Sequence, residues 1–213
     1  MEHIALNIDH LGMGHATADW PLADRTRMQR LYYIRGGNGC YKTADGKFKK
    51  MESHKLYIFP YNFYAEFQSD EENPIDHIYF DFLSAPPIVA ENPLIYDIAE
   101  NSALYDQIKC LEKLLVKFDL RGMTRQKVSS IVSAKEGSFD EERQIIYHSL
   151  YLLLLSLSYE HSIPFLKDEL INQSLLYIRS NYASNLCLEK LAREANFEKH
   201  YYIRRFKEVM GET

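Results

Sequence analysis

The chain has few of the residues that build disulfide frameworks, zinc sites or membrane spans. It contains 3 cysteines in 213 residues, at positions 40, 110 and 187, and no Cys-x-x-Cys pair. An odd number of widely separated cysteines argues against a disulfide scaffold or a zinc site and favours a reducing compartment. The most apolar stretch, residues 145–159, contains His148 and is shorter than the roughly 20 residues of a membrane span. We therefore expect a cytoplasmic protein without membrane contact.

Sequence patterns of common enzymes are also missing. There is no His-x-His pair, since His54 and His77 stand alone, and there is no Gly-x-Ser-x-Gly motif or glycine-rich phosphate loop. An open catalytic metal site normally needs about three protein ligands. We expect no enzymatic activity, no metal and no cofactor. A metal enzyme is the first alternative function.

Composition is that of a globular chain with a mild acidic excess. Apolar residues make up 46%, charged residues 26%, and the formal net charge is −5. Residues 168–213 contain seven Lys/Arg and seven Asp/Glu, so the rest of the chain, with 18 basic and 23 acidic residues, carries the whole excess. Only a local basic element is then available for nucleic acid.

The pattern of residues divides the chain into three parts, and we expect an α+β fold. Residues 1–98 are predicted to form β-structure, because short aromatic and β-branched runs are separated by turn residues. An Asp45-Gly46 pair predicts a hairpin turn. The predicted strands cover residues 31–35, 40–43, 47–51, 56–59, 63–68 and 77–83, a spacing typical of a sandwich or barrel.

Residues 99–163 are predicted to be helical. Leu104, Ile108, Leu111 and Leu115 recur at spacings of four, three and four, which places them on one helix face. That face can line the protein's own core or the seam of a homodimer, and we expect a dimer. A second helix is predicted from about Ser138, which can cap it, to about residue 160, before Pro164.

Residues 164–213 carry the pattern of a helix-turn-helix. A helix ending near residues 181–185 is followed by predicted helices over 188–194 and 198–210. Ala192 supplies the small residue needed where two helices cross, and Asn196 tolerates the left-handed backbone of the turn. The outward face of the last helix is predicted to carry Lys199, His200, Arg204 and Lys207. A solvated surface helix gives a similar pattern, so a sensor or interaction module without DNA binding is the second alternative.

Several motifs resemble one family of proteins. They are Tyr177-Ile178-x-x-Asn181-Tyr182, Leu188-Glu189-x-Leu191-Ala192, Tyr201-x-x-Arg204-x-Phe206-Lys207, Arg30-Leu31-Tyr32-Tyr33-Ile34-x-Gly36 and Ile78-Tyr79-Phe80-x-Phe82. Together they resemble the AraC/XylS-type transcriptional regulators. The resemblance implies an N-terminal cupin-like β-barrel that binds a small-molecule effector, a helical dimerisation segment and a C-terminal helix-turn-helix that binds DNA.

The resemblance also assigns roles to residues. His200, Ile203 and Arg204 match the family's base-reading face, where an arginine donates to guanine and an apolar side chain packs on a thymine methyl. Lys199 and Lys207 are expected to contact phosphate. A carbohydrate is one candidate effector, and its expected contacts are Trp20, Tyr33, Phe67 and His77. The family has a second helix-turn-helix after the positions that match residues 211–213, so the resemblance implies that this chain is a fragment.

Overall fold

The computed structural model describes residues 4–16, 24–25, 28–118, 140–181 and 185–210. In chain order the strands are β1 (Ala5–His15), β2 (Asp24–Arg25), β3 (Gln29–Gly36), β4 (Gly39–Lys42), β5 (Phe48–Met51), β6 (Lys55–Phe59), β7 (Tyr64–Ser69), β8 (Asp76–Ala85) and β9 (Leu94–Asp97). The helices are α1 (Ala103–Lys117), α2 (Asp140–His161), α3 (Glu169–Ser180), α4 (Leu188–Glu194) and α5 (Lys199–Met210). Strands followed by helices make an α+β fold, as expected.

The strands form two antiparallel sheets. The larger has the order β1-β8-β3-β6-β9 and the smaller the order β2-β7-β4-β5. Within the described ranges no ladder joins the edges of one sheet to those of the other, so the expected closed barrel is wrong. A barrel requires every edge strand to be paired, whereas pairing here ends at β1 and β9 in one sheet and at β2 and β5 in the other.

All six predicted strands begin and end within two residues of their predicted bounds, and β3 and β8 are each three residues longer than predicted. The Asp45-Gly46 hairpin joins β4 to β5. Gly46 has a φ of +80°, a backbone conformation in which a residue with a side chain would be strained. Strands β1 and β9, at the two edges of the larger sheet, were not predicted. Each pairs with a strand that is distant in the sequence: β1 with β8, and β9 with β6.

The larger sheet separates two hydrophobic cores. On one face it packs against α1 and α2, and on the other it faces the smaller sheet. The helix-side core includes Leu31, Tyr33, Ile58, Phe80, Leu111 and Leu154. The inter-sheet core includes Tyr32, Ile34, Tyr41, Phe59 and Phe67. Adjacent residues of β3 therefore belong to different cores, because successive side chains point to opposite faces of a sheet.

Helix α1 contributes the apolar stripe that we expected at a dimer seam. Ser102 caps it, its hydroxyl accepting a hydrogen bond from the Tyr105 N–H at 3.1 Å. The structure buries all four stripe residues in the protomer's own core: Leu104, Ile108, Leu111 and Leu115. These side chains therefore cover the sheet, which is one of the two roles expected for the stripe, and the homodimer stays a prediction.

Helix α2 was predicted correctly and has two apolar faces. Its inner face packs in the helix-side core. Its outer face leaves Ile145, Leu152 and Tyr159 exposed, at 44%, 52% and 83%. These three residues, called the α2 stripe below, are spaced by seven. Ser138 lies outside the described residues.

The last three helices form a small third core. It contains Leu191, Ala192, Ala195 and Tyr202, with Tyr177, Ile178, Leu186, Phe197 and Phe206 packed around them. All three helices lie within about two residues of their predicted bounds. The boundaries proposed for the three parts of the chain, 98/99 and 163/164, stay predictions.

Candidate functional site

A tight corner that contains one residue in the left-handed conformation joins α4 to α5. Asn196 has a φ of +60°, the left-handed conformation that asparagine tolerates better than most residues. The Phe197 N–H donates to the Ala192 carbonyl at 2.8 Å, closing the end of α4. Ala192 is buried where the helices meet. The predicted roles of Ala192 and Asn196 in this corner are confirmed.

Packing against α3 determines which face of α5 is outward. Tyr202 is buried, and its hydroxyl oxygen lies 2.6 Å from the Ser174 hydroxyl of α3, which is also buried. On the remaining faces of α5, His200, Arg204 and Lys207 are exposed, and Lys199 and Ile203 are half-buried. All five predicted DNA-contacting residues therefore keep part of their surface open to solvent.

Acidic residues contact the backbone at the start of α5 and one of its basic side chains. The carboxylate of Glu198 accepts hydrogen bonds from the N–H groups of His200 and Tyr201, at 3.0 and 3.2 Å. These backbone donors lower the pKa of Glu198, so its negative charge stabilises the start of α5. Lys199 is ion-paired with Glu189 of α4, and this hydrogen bond raises the pKa of Lys199.

Arg204 is the most accessible cation of the predicted base-reading face. Its side chain is 69% exposed, its guanidinium lies over the Tyr201 ring at 5.3 Å, and Glu208 is 4.0 Å from its Nε. Residues 188–210 contain six Lys/Arg and four Asp/Glu, giving a net charge of +2 in a chain whose total is −5. This arrangement can hold a polyanion against α5.

Sequence reasoning missed one charged contact of this unit. Arg205 donates from Nε and Nη2 to the same oxygen of Asp168, Oδ2, at 3.0 and 2.8 Å. Asp168 also caps α3, its Oδ1 accepting from the Ile171 N–H at 3.1 Å. The two residues are 37 positions apart, so no local pattern signals the pair.

The space between the two sheets brings together two of the four predicted effector contacts. The rings of Phe67 and His77 both lie against Tyr32, with centroid distances of 5.3 and 5.2 Å. Tyr33 lies on the opposite face of β3, in the helix-side core, where burial together with the nearby Tyr105 and Glu112 raises its pKa to about 12. Trp20 lies outside the described residues.

His77 is deeply buried and neutral at physiological pH. It is 5% exposed, and this burial lowers its pKa from 6.5 to about 4 despite the opposing effect of Asp76. A neutral imidazole offers one donor and one acceptor to its surroundings.

A polar row crosses the inter-sheet face beside these aromatic rings. In the register of the larger sheet, His10 of β1 lies opposite Asp81 of β8, and Asp81 lies opposite Arg30 of β3. Arg30 and Asp81 are 3% and 9% exposed, and Arg30 Nε lies 3.1 Å from Asp81 Oδ1. Arg30 Nη1 is buried and has no hydrogen-bond partner among the described residues. Sequence reasoning did not select these residues, although charged side chains inside otherwise apolar strands are a usable signal.

Two further features concern the described part of the chain as a whole. No group of three or more His, Cys, Asp or Glu side chains in it is arranged to hold a metal ion. None of its helices is both long enough and apolar enough to cross a bilayer.

Comparisons with known proteins find similarity in structure alone. No family model matches the chain, and no curated protein matches it in sequence. A crystal structure of ToxT from Vibrio cholerae is similar over 99% of this chain and 75% of that one, at 9% identity and a TM-score of 0.49. The AraC-like transcriptional activator CuxR is similar over 99% of this chain and 71% of its own, at 12% identity and a TM-score of 0.35. YhaK from Escherichia coli is similar over 47% of this chain and 45% of its own, at 20% identity and a TM-score of 0.30. All three identities are below 25% and all three TM-scores below 0.5, so these similarities do not establish a family.

Proposed function

We propose that this protein regulates transcription by binding DNA through α4 and α5 in response to a small molecule bound between its sheets. The observation that carries the proposal is the α4–α5 corner, in which Asn196 adopts a left-handed turn and α5 exposes Arg204 beside other cations. In a helix-turn-helix the second helix enters the major groove and its exposed residues meet base edges.

The exposed residues of α5 are proposed to make two kinds of contact with DNA, to bases and to phosphates. Arg204, with Ile203 and His200, is proposed to read bases, because a guanidinium can donate twice to guanine. Lys207 and Lys199 are proposed to bind phosphate. Lys199 must exchange Glu189 for a phosphate oxygen, so its contribution to affinity is expected to be smaller than that of the exposed Lys207.

The experiment selects binding sites from a random-sequence DNA library with the full chain and then measures affinity at several salt concentrations. Arg204→Ala is expected to cost about 1–3 kcal/mol on the selected site and to relax specificity at one position. Arg204→Lys keeps the charge, so it should retain the salt dependence and lose the specificity. Lys207→Ala should weaken all sequences alike and reduce the salt slope by about 1.

Lys50→Ala is the matched control, because it removes an exposed positive charge from β5, far from α5 in the chain. It should leave both affinity and salt slope unchanged. If the wild-type chain selects no sequence from the library and binds DNA no better than the Arg204→Ala variant, the proposal fails and the protein is a sensor or interaction module without DNA binding.

The proposed effector site combines the polar row with the aromatic rings of Tyr32 and Phe67. Arg30 supplies a buried donor and Asp81 a buried acceptor, side by side. Adjacent hydroxyl groups of a carbohydrate match that pair, and the apolar face of a sugar ring packs on an aromatic side chain. His77 lies against the same Tyr32 ring. A carbohydrate is therefore the effector class we propose.

Thermal unfolding in the presence of neutral monosaccharides, with the corresponding sugar acids as a second set, tests this proposal. A ligand at a hundred times its dissociation constant stabilises the folded state by about 2.7 kcal/mol. Removing Arg30 alone takes away the ion pair of the buried Asp81 carboxylate, so the variant to use is the double substitution Arg30→Met with Asp81→Leu, which removes both charges. The expected result is a shift in wild type that this variant loses. A panel without any shift in wild type excludes a carbohydrate effector.

We also propose a homodimer, formed through the α2 stripe. Its residues Ile145, Leu152 and Tyr159 are exposed at a spacing of seven, which keeps one seam facing a second helix along about 20 Å of α2. Leu152→Lys should convert dimer to monomer in sedimentation velocity measurements. Ile95→Lys, at a similarly exposed apolar residue of β9, should leave the dimer intact. A wild-type chain that sediments as a monomer at tens of micromolar contradicts the proposal.

A further inference from the structure

The connection between the larger sheet and the last three helices is a short backbone pairing, called the clasp below. Residues 86–89, which follow β8, pair with residues 163–166, which follow α2. The Val89 N–H donates to the Pro164 carbonyl at 3.0 Å, and the Leu166 N–H donates to the Pro87 carbonyl at 2.8 Å. Ile88 and Phe165 form an antiparallel bridge between these bonds, and Ile88 is fully buried.

The clasp continues directly into α3 and from there to α5. The amide of Asn172, a buried residue of α3, donates to the Leu166 carbonyl at 2.9 Å. Two residues after Leu166, Asp168 caps α3 with one carboxylate oxygen and accepts both hydrogen bonds of Arg205 with the other. A single carboxylate thus ties the end of the clasp to the helix that carries Arg204.

In the other direction the clasp is tied to the sheet that carries the polar row. The Ser84 hydroxyl, near the end of β8, donates to the Pro86 carbonyl at 2.8 Å. The Gln29 side chain of β3 donates to that hydroxyl at 2.7 Å and accepts from the Ser84 N–H at 3.0 Å. Arg30 and Asp81, the charged pair of the polar row, follow Gln29 and precede Ser84 on the same two strands.

We propose that the Asp168–Arg205 ion pair positions the recognition helix α5 relative to the larger sheet, so that a shift of β8 reaches the DNA-reading face through the clasp. The proposal rests on the proposed function for its DNA-reading part. Arg205 is the neighbour of Arg204, and a rotation of α5 that breaks the ion pair turns Arg204 by the same angle. Asp168 and Arg205 are positioning residues and need no contact with DNA.

Hydrogen exchange on the full chain tests the ion pair without DNA. Asp168→Asn retains a good helix cap and removes the charge, and Arg205→Gln removes the partner. Each is expected to raise exchange in peptides covering the clasp by about two- to fivefold, the range for a partly exposed ion pair. The double variant should match the single ones, because both remove the same contact. Arg205→Lys should restore part of the protection, and Lys207→Gln, a charge removed two positions along α5, should change nothing.

DNA binding gives the second readout. On the site selected by wild type, Asp168→Asn and Arg205→Gln should lower the ratio of specific to non-specific affinity about two- to fivefold and leave the salt slope unchanged. If clasp exchange stays at the wild-type rate in both variants, the ion pair is only a local contact and the proposal is overturned. If clasp exchange rises but wild type binds no DNA, the positioning contact stands and the proposed function fails.

Discussion

Replacement of His77 by glutamine tests the account of the inter-sheet core most directly. In the folded protein His77 is buried against Tyr32 and Tyr79, and this burial lowers its pKa from 6.5 to about 4. In the unfolded chain the imidazole is hydrated and binds its proton near the ordinary pKa. Between these two values the unfolded state therefore binds one more proton than the folded state.

The sign and size of the effect follow from that difference. Stability rises with pH wherever the unfolded state holds more protons, so His77 destabilises the fold progressively as pH falls from about 6.5 to about 4. Each pH unit between the two pKa values corresponds to about 1.4 kcal/mol, giving about 3 kcal/mol over the whole window. Between about pH 7.5 and about pH 5, where most carboxylates remain ionised, the expected loss is about 2 kcal/mol.

Urea unfolding of wild type and His77→Gln at these two pH values measures that loss. Glutamine does not titrate, so the variant should lose about 2 kcal/mol less than wild type, whatever its stability at the higher pH. The neighbouring charges Asp76 and Arg35 are present in both proteins and cancel in the comparison. Equal losses in the two proteins, within about 0.5 kcal/mol, would show that His77 is hydrated in the folded state and refute the reasoning.

Three further predictions concern packing and backbone conformation. Ala192→Leu should destabilise the last three helices by about 1–3 kcal/mol in urea unfolding, because the buried corner has no room for a larger side chain. Asn196→Val should cost about 1–3 kcal/mol at its φ of +60°, whereas Asn196→Gly should cost little. Leu154→Ala should cost about 2–5 kcal/mol, and the control Leu176→Ala, at an exposed leucine of α3, within about 0.5 kcal/mol.

The tight corner between α4 and α5 was predictable because its signals are local. A small residue at the helix crossing, Ala192, and a residue tolerant of positive φ four positions later, Asn196, lie within one short segment. Apolar spacing around them indicates both helices. The same reasoning predicted α1 but not what its stripe contacts, because a buried face and a dimer seam have identical periodicity.

The edges of the larger sheet were missed for a physical reason. Residues Asp9, His10, Gly12 and Gly14 lower the β-propensity of β1, which forms because β8 offers it an unpaired edge some seventy residues away. The closure expected of the sheets was wrong for a related reason. Whether edge strands meet depends on their length and twist, which short sequence runs do not encode.

The candidate site between the sheets shows the same limit. Phe67 and His77, expected to contact an effector together with Tyr33, both lie against Tyr32, whereas Tyr33 lies on the opposite face of β3. An offset of one residue reverses the face on which every side chain of a strand lies, and an aromatic pair gives no clue to that offset. Arg30 and Asp81 were missed because their pairing depends on the register of β3 and β8.

Because the larger sheet divides two cores, its two faces can diverge independently. Substitution at the positions around Tyr32 and Asp81 changes the lining between the sheets, while Leu31, Tyr33 and Phe80 keep the helical layer in place. A lineage can therefore change the residues between the sheets without rebuilding the scaffold that supports α1 and α2. Among related sequences, we expect residues of β3 and β8 that face the smaller sheet to vary more than the alternating residues that face α1 and α2.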